Sequence, residues 1–183
     1  SSWGMARVED QIAAAQAKHT DPDSEHYIKN YNAIVGVNGD FFSMQTGEPS
    51  GVLVMEGVKY HDPNSSYFFS ILKDGTAFIG NKSDWANVKD NVQEAIGGSA
   101  LLVKDGKPTV EYSSDHVTAR ASRTCVGITE DGKVVMMVLD GRQSPFSAGG
   151  SAIEIAQIMK EAGCVTAINL DGGGSSCMLV NGK

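Results

Sequence analysis

The 183-residue chain has 41% hydrophobic and 20% charged residues, the composition of an ordinary globular domain with a substantial core. Its formal net charge of −7 argues against binding to nucleic acid and against a polybasic contact with a membrane. No apolar run approaches the length of a membrane span, so we expect no membrane insertion.

The first predicted element is a helix over about residues 5–19. Apolar residues recur there at helical spacing, and an alanine-rich middle favours the helix. The polar stretch 20–24, which contains Pro22, ends the pattern. We interpret this helix as a packing element.

A short apolar run at 33–37 predicts a buried strand that ends in Asn38-Gly39-Asp40-Phe41-Phe42. Asn-Gly after a strand is often a simple hairpin turn. The two aromatic residues after Asp40 instead indicate a corner that is pinned to the core. Asn38, Gly39 and Asp40 are therefore candidate site residues.

Residues 51–112 have the pattern of short β-strands joined by tight turns. The dipeptides Glu56-Gly57, Asp74-Gly75 and Asp105-Gly106 are strong hairpin signals between apolar runs. The predicted strands cover 51–55, 58–61, 67–72, 76–79, 100–103 and 109–112. The polar segment 85–94 is predicted to be a loop with one helical turn.

The clearest predicted hairpin joins residues 122–129 to residues 133–139 and carries an arginine at each outer end. Arg123 opens its first strand, and Arg142 follows its second strand within Asp140-Gly141-Arg142. Arginines are usually solvated surface charges. Arg123, however, directly precedes an apolar run, and Arg142 follows an Asp-Gly corner, so both are also candidates for binding an anion.

The best predicted helix covers 151–162 and leads to a glycine-rich motif. Ser151 and Glu154 have capping-box spacing, and Gly163 is the expected C-terminal stop. The apolar run 165–170 then delivers Asp171, Gly172, Gly173, Gly174 and Ser175. This strand–helix–strand order predicts a crossover that brings Asp140 and Asp171 to one edge of a sheet.

The expected fold class is α+β, a mixed β-rich sheet core with hairpins and two main helices. Three of its strand ends share one design, an acidic residue beside glycine, at Asp40, Asp140 and Asp171. Carboxylates brought together could supply the acid and the base or nucleophile of glycoside hydrolysis. Arginines and glycine amides would bind an anion such as phosphate.

Other templates fit the glycine motif poorly. A P-loop or a dinucleotide fingerprint needs a helix after its glycines, but the strand-like run 178–180 follows here. A nucleophilic Ser175 would want a histidine base, and the four histidines lie in polar turns or at element ends. No histidine pair has zinc spacing. The sequence requires no cofactor, and binding of Ca²⁺ or Mg²⁺ by the aspartates is left as an alternative.

Taken together, these motifs resemble the phosphodiester glycosidase family in their order, and the resemblance covers nearly the whole chain. The matching segments are 38–42, 50–51, 123–127, 140–142 and 169–176. The resemblance implies a bacterial member forming one domain over 1–183, with a C-terminal truncation left open because family members continue past this point. It also implies an extracellular or cell-envelope location.

The implied reaction is hydrolysis of the glycosidic bond of a sugar 1-phosphodiester to free sugar and a phosphomonoester. The implied catalytic residues are Asp171, Asp40 and Asp140. The implied substrate-binding residues are Asn38, Gly39, Arg123, Arg142, Gly172, Gly173, Gly174 and Ser175. We expect Asp171 to be the essential carboxylate, Asp40 the second, and Arg123 the phosphate ligand. Glu48 is an alternative acid near the first corner.

Two other functions stay open. One is a non-catalytic module of a cell-envelope protein that binds carbohydrate or an anion in the same pocket. The other is a metal-dependent phosphodiesterase that breaks a P–O bond. In each reading the expected partner is a sugar phosphate or a glycan.

Overall fold

The computed structural model describes residues 3–109 and 118–183. Its helices are α1 (Val8–Thr20), α2 (Trp85–Val88) and α3 (Ala152–Glu161). Its strands are β1 (Val35–Val37), β2 (Leu53–Met55), β3 (Val58–His61), β4 (Tyr67–Leu72), β5 (Ala77–Asn81), β6 (Val92–Gly98), β7 (Leu101–Lys104), β8 (Lys107–Pro108), β9 (Arg123–Thr129), β10 (Val134–Leu139), β11 (Cys164–Asn169) and β12 (Met178–Val180).

The described strands form three sheets, and every hydrogen-bonded pair among them is antiparallel. The first sheet has the order β10-β9-β11-β7-β8, and the second has the order β3-β2-β6-β4-β5. A separate pair joins β1 to β12. The predicted α+β class with a β-rich core is confirmed.

The predicted hairpin and crossover together set the geometry of the first sheet. β10 pairs with β9 on one side, and β11 pairs with β9 on the other, so β10 and β11 point the same way. Leu139 is opposite Arg123, and Asn169 is opposite Cys125. The strands that precede Asp140 and Asp171 therefore end at the same edge of the sheet, as predicted.

The hydrophobic core is built in layers. Helix α3 packs on one face of the first sheet through Ile155 and Met159. The other face meets the second sheet through Val126, Ile168 and Leu170, against which Phe69 packs. The predicted capping box is present on α3: Ser151 Oγ accepts from Glu154 N, and Glu154 Oε2 accepts from Ser151 N.

Several boundaries differ from the predictions. Helix α1 begins at Val8 because Arg7 is extended and no side chain caps the helix start. The strand predicted to be buried at 33–37 is the half-buried β1. The helical turn predicted within 85–94 is present as α2, but the loop predicted around it is wrong at Val92, which begins β6 between β2 and β4. Its polar residues and its two closing glycines lower the β-propensity that would have marked it.

The predicted hairpin turns can be compared with the backbone angles of the structure. The turns Glu56-Gly57 and Asp105-Gly106 have positive φ at both residues, as tight hairpins require. Residues 110–112 of the strand predicted at 109–112 lie outside the described residues. Within the described ranges, no helix is both long and apolar enough to cross a membrane.

Candidate active site

A cavity of about 900 Å³ lies where both five-stranded sheets meet the corners that follow β1 and β11. One end of it is polar and includes Asp40, Asp171 and Ser175. Strands of both sheets supply apolar wall residues, among them Phe69 and Val126. The N-terminal segment 4–9 also borders the cavity. The site thus combines the carboxylates of Asp40 and Asp171 with an apolar wall.

The corners that carry Asp40 and Asp171 are hydrogen-bonded to each other. Asp171 N donates to Gly39 O at 3.0 Å, and Asn38 Nδ2 donates to Asp171 O at 2.9 Å. Asn38 Oδ1 also accepts from Thr124 Oγ1 at 2.6 Å and from Cys177 N at 3.1 Å. Asn38, predicted to bind substrate, is therefore placed as the residue that holds the two corners together.

The surroundings of the Asp40 carboxyl group change its pKa. Oδ1 accepts from Phe41 N at 2.8 Å, whereas the buried Oδ2 has no hydrogen-bond partner among the described residues. Burial raises the pKa of Asp40 to about 6 against the lowering effect of the Phe41 and Gly51 amides. The negative charge of Asp171 adds to the increase. Such a carboxyl group holds a proton closer to neutral pH than a free aspartate does.

Two glycines make room for the Asp40 carboxylate. A Cβ at Gly51 would lie 2.6 Å from Asp40 Oδ2, and a Cβ at Gly97 would overlap the same oxygen. Ser65 Oγ borders both glycines and donates to Tyr67 O at 2.9 Å. Gly51 belongs to the family-like segment 50–51, whereas nothing in the spacing of Gly97 and Ser65 points to Asp40.

His61 is a further residue that the sequence did not single out. Its Nδ1 lies 2.7 Å from Gly51 O, and its Nε2 lies 3.5 Å from Glu48 Oε1. The charge of His61 lowers the pKa of Asp40. Glu48, predicted as an alternative acid, is exposed and is placed against His61.

Asp171 is half-buried and is fixed at its backbone by the first corner. Its Oδ1 accepts from Gly172 N at 2.8 Å. Gly172 has no room for a side chain, because a Cβ there would lie 2.7 Å from Ser122 O. Gly173 has φ +60 and donates its N–H to Ser122 O at 2.9 Å. Close approach and positive φ thus explain two of the three glycines.

Gly174 and Ser175 are the part of the glycine motif that reaches the cavity. A Cβ at Gly174 would meet no atom within 4 Å, so packing does not require a glycine there. Its exposed backbone is open to a ligand. Ser175 is half-buried and closes the short 3₁₀ turn Gly173–Ser175.

Asp140 and Arg142 follow β10 and do not line the cavity. The Asp140 side chain is exposed, so the structure does not bring it to Asp40 and Asp171 within the cavity wall. Arg142 is exposed with φ +58, and its Nη1 lies 3.9 Å from the point where a Cβ on Gly173 would stand. Its guanidinium is therefore next to the glycine backbone.

Arg123 is placed differently from Arg142. It is only 4% exposed, and it donates from Nε to Gly150 O at 3.1 Å and from Nη2 to Ala119 O at 2.7 Å. Burial lowers its pKa, and the charge of Arg142 contributes to the decrease. We expected Arg123 to hold phosphate, but these contacts commit at least two of its donor groups to the backbone around β9.

Within residues 3–109 and 118–183, no group of three or more His, Cys, Asp or Glu side chains is arranged to hold a metal ion. Cys125 and Cys164 are buried free thiols, and Cys177 is half-buried. Burial raises the pKa of Cys125 far above its usual value, so this thiol stays protonated. The carboxylic acids among the described residues that line the cavity are Glu9, Asp40 and Asp171.

Comparison with known proteins decides the family. The model of the phosphodiester glycosidase family matches residues 31–183. The chain belongs to this family. Mouse N-acetylglucosamine-1-phosphodiester alpha-N-acetylglucosaminidase is 30% identical over 167 residues, covering 81% of this chain and 32% of the mouse protein. The SPbeta prophage-derived protein YomE of Bacillus subtilis is 27% identical over 187 residues, covering 91% of this chain and 29% of YomE.

The fold of this phosphodiester glycosidase family member is shared with solved structures. The catalytic domain of the zebrafish N-acetylglucosamine-1-phosphodiester alpha-N-acetylglucosaminidase, auto-inhibited by its pro-peptide, has a TM-score of 0.73 at 26% identity. That match covers 87% of this chain and 57% of the zebrafish chain. A hypothetical protein from Synechocystis shares the fold with a TM-score of 0.63 at 16% identity. The chain spans about a third of the length of the curated relatives it matches.

Proposed function

We propose that this protein hydrolyses the glycosidic bond of a sugar 1-phosphodiester and releases free sugar and a phosphomonoester. The observation that carries the proposal is the pair Asp40 and Asp171, held together by their hydrogen-bonded corners at the polar end of one cavity. Membership of the phosphodiester glycosidase family supports it.

The two carboxyl groups are suited to different roles. Glycoside hydrolysis needs one group that protonates the leaving oxygen and a second that attacks the sugar or activates water. Asp40, whose pKa burial raises to about 6, is the proposed acid. Asp171, half-buried beside the open backbone of Gly174, is the proposed second carboxylate.

The leaving group of this reaction is a phosphate ester, which needs a binding site for its charge. We assign that role to Arg142 and to the backbone of the glycine motif, because the guanidinium is exposed beside Gly173. Arg123 then acts through the backbone it supports at Ala119 and Gly150.

The first test is a product assay with N-acetylglucosamine 1-(methyl phosphate), the sugar being the one in the names of the curated relatives. We expect free N-acetylglucosamine and methyl phosphate to appear in equal amounts. ³¹P NMR follows the methyl phosphate. Formation of sugar 1-phosphate and methanol would contradict the proposal. Binding without turnover would instead favour the carbohydrate-binding module.

A second test separates the proposal from a metal-dependent phosphodiesterase. The proposed steps use only carboxyl, guanidinium and backbone groups, so dialysis against EDTA should leave the rate unchanged. Loss of activity that Ca²⁺ or Mg²⁺ restores would favour the metal-dependent alternative.

We further propose that the protein acts in the cell envelope or outside a bacterial cell, as the family resemblance implies. Fractionation of the producing organism should recover the activity with the envelope or the medium. Recovery in the cytosolic fraction would contradict this location.

A further inference from the structure

The cavity beside Asp40 and Asp171 has a wall that a sugar phosphate alone does not need. Aliphatic and aromatic side chains of both five-stranded sheets line it, among them Leu53, Phe69, Ile71, Val126, Val134 and Met136. Asn38, Asp40, Asp171 and Ser175 bring polar groups to the two corners, and the N-terminal segment adds Arg7, Glu9 and Gln11 to the lining. Sugar hydroxyls and phosphate oxygens placed against the apolar wall would lose their hydrogen bonds to water without replacement.

Strand β10 shows that this wall is open to solvent. Its residues alternate, so that Val135, Met137 and Leu139 pack towards α3, while Val134 and Met136 face the cavity. Val134 is 37% exposed and Met136 is 36% exposed. Large apolar side chains left open beside a polar site are typical of a ligand-binding surface.

A phosphodiester has two arms, and only one of them is the sugar. With the sugar at Asp40 and Asp171 and the phosphate at Arg142 and the glycine backbone, whose Gly174 lines the cavity, the second ester arm is left to run along the apolar wall. A volume of about 900 Å³ is at the upper end of the range for small-molecule sites, so it has room for all three parts.

We propose that the substrate is a sugar 1-phosphodiester whose second arm is a hydrocarbon chain, and that this chain binds along the wall formed by Val134 and Met136. The inference rests on the proposed function, because it names the leaving-group class for the same site. The reaction itself is unchanged: water adds to the sugar carbon, and the leaving group is an alkyl phosphate.

The test is a series of N-acetylglucosamine 1-(alkyl phosphates) with methyl, butyl, hexyl and octyl chains, each used below its critical micelle concentration. We expect kcat/KM to rise about threefold per methylene, which is a large part of the transfer free energy of a CH₂ group. A series that is flat with chain length would overturn the inference.

A matched pair of double variants locates the chain. Val134→Thr with Met136→Gln makes the open wall polar at nearly constant volume, and we expect the octyl-to-methyl ratio of kcat/KM to fall at least tenfold. Met55→Gln with Val58→Thr makes the same changes at exposed positions of the β2–β3 hairpin, outside the cavity. It should leave the ratio unchanged. An equal effect of both pairs, or of neither, would overturn the assignment.

Direct binding separates failure of this inference from failure of the proposed reaction. In the Asp171→Asn protein, calorimetry should show the octyl ester binding more tightly than the methyl ester. Kd should fall with chain length as kcat/KM rises with chain length in the unaltered protein. Absence of hydrolysis with this trend intact would refute the reaction and leave the chain site standing. Hydrolysis without the trend would refute the chain site alone.

Discussion

Asp171 is the residue on which the proposed chemistry depends most. Asp171→Asn keeps the shape and the acceptor oxygen that Gly172 N contacts, but it removes the charge. We expect kcat to fall by about 10²–10⁴-fold with an unchanged melting temperature. Asp105→Asn, at an exposed turn with positive φ that asparagine tolerates, is the matched control and should retain full activity. Comparable activity of the two variants would exclude Asp171 from the chemistry.

Asp40 gives the proposed reaction its pH dependence. An acid must be protonated to act, so kcat/KM should fall as the pH rises through about 6, the pKa to which burial raises this group. The charge of His61 lowers that pKa. His61→Gln should therefore shift the falling limb to higher pH, as a pH–rate profile would show. A limb that shifts to lower pH, or stays in place, would contradict the role of His61.

The two arginines should respond differently to the same substitution. Arg142→Lys removes the planar fork beside Gly173, and we expect KM for the phosphodiester to rise about tenfold with little change in melting temperature. Arg123→Lys disrupts donors to two backbone carbonyls, so its main effect should be on thermal stability. If Arg123→Lys raised KM and Arg142→Lys lowered the melting temperature instead, phosphate binding would be assigned to Arg123.

At the scale of elements, β6 is shaped to receive the Asp40 carboxylate. Gly97→Ala would place a methyl group on Asp40 Oδ2 and should lower kcat and shift the pH–rate profile. Gly98→Ala on the same strand would press on the Ile168 side chain instead. We expect it to lower the melting temperature without moving the profile. Identical profiles for both variants would mean that Gly97 serves packing alone.

Local sequence patterns predicted those elements whose signals are local. The turn Glu56-Gly57, the capping box of α3 and the β9–β10 hairpin all depend on residues within a few positions of each other. Strand β6 was missed because its place between β2 and β4 depends on distant partners. Its own polar and glycine residues give a weak local pattern.

At the scale of the whole molecule, topology explains which of the predicted site residues line the cavity. The ends of β1 and β11 meet through Asn38, so Asp40 and Asp171 share one cavity, as three similar strand ends suggested. Asp140 shares the sheet edge but is exposed outside that cavity. The burial of Arg123 could not be predicted, since it depends on carbonyls at Ala119 and Gly150 that only the fold brings near.

The central claim is that the bond from the sugar carbon to oxygen breaks, and the position of isotopic oxygen tests it most directly. Products alone do not decide, because cleavage on either side of that oxygen gives the same sugar and methyl phosphate. Hydrolysis of N-acetylglucosamine 1-(methyl phosphate) in ¹⁸O water, stopped at short times, should give sugar that carries ¹⁸O. The methyl phosphate, read by ³¹P NMR, should carry no ¹⁸O. Methyl phosphate that carries ¹⁸O would contradict the proposed glycosidase mechanism.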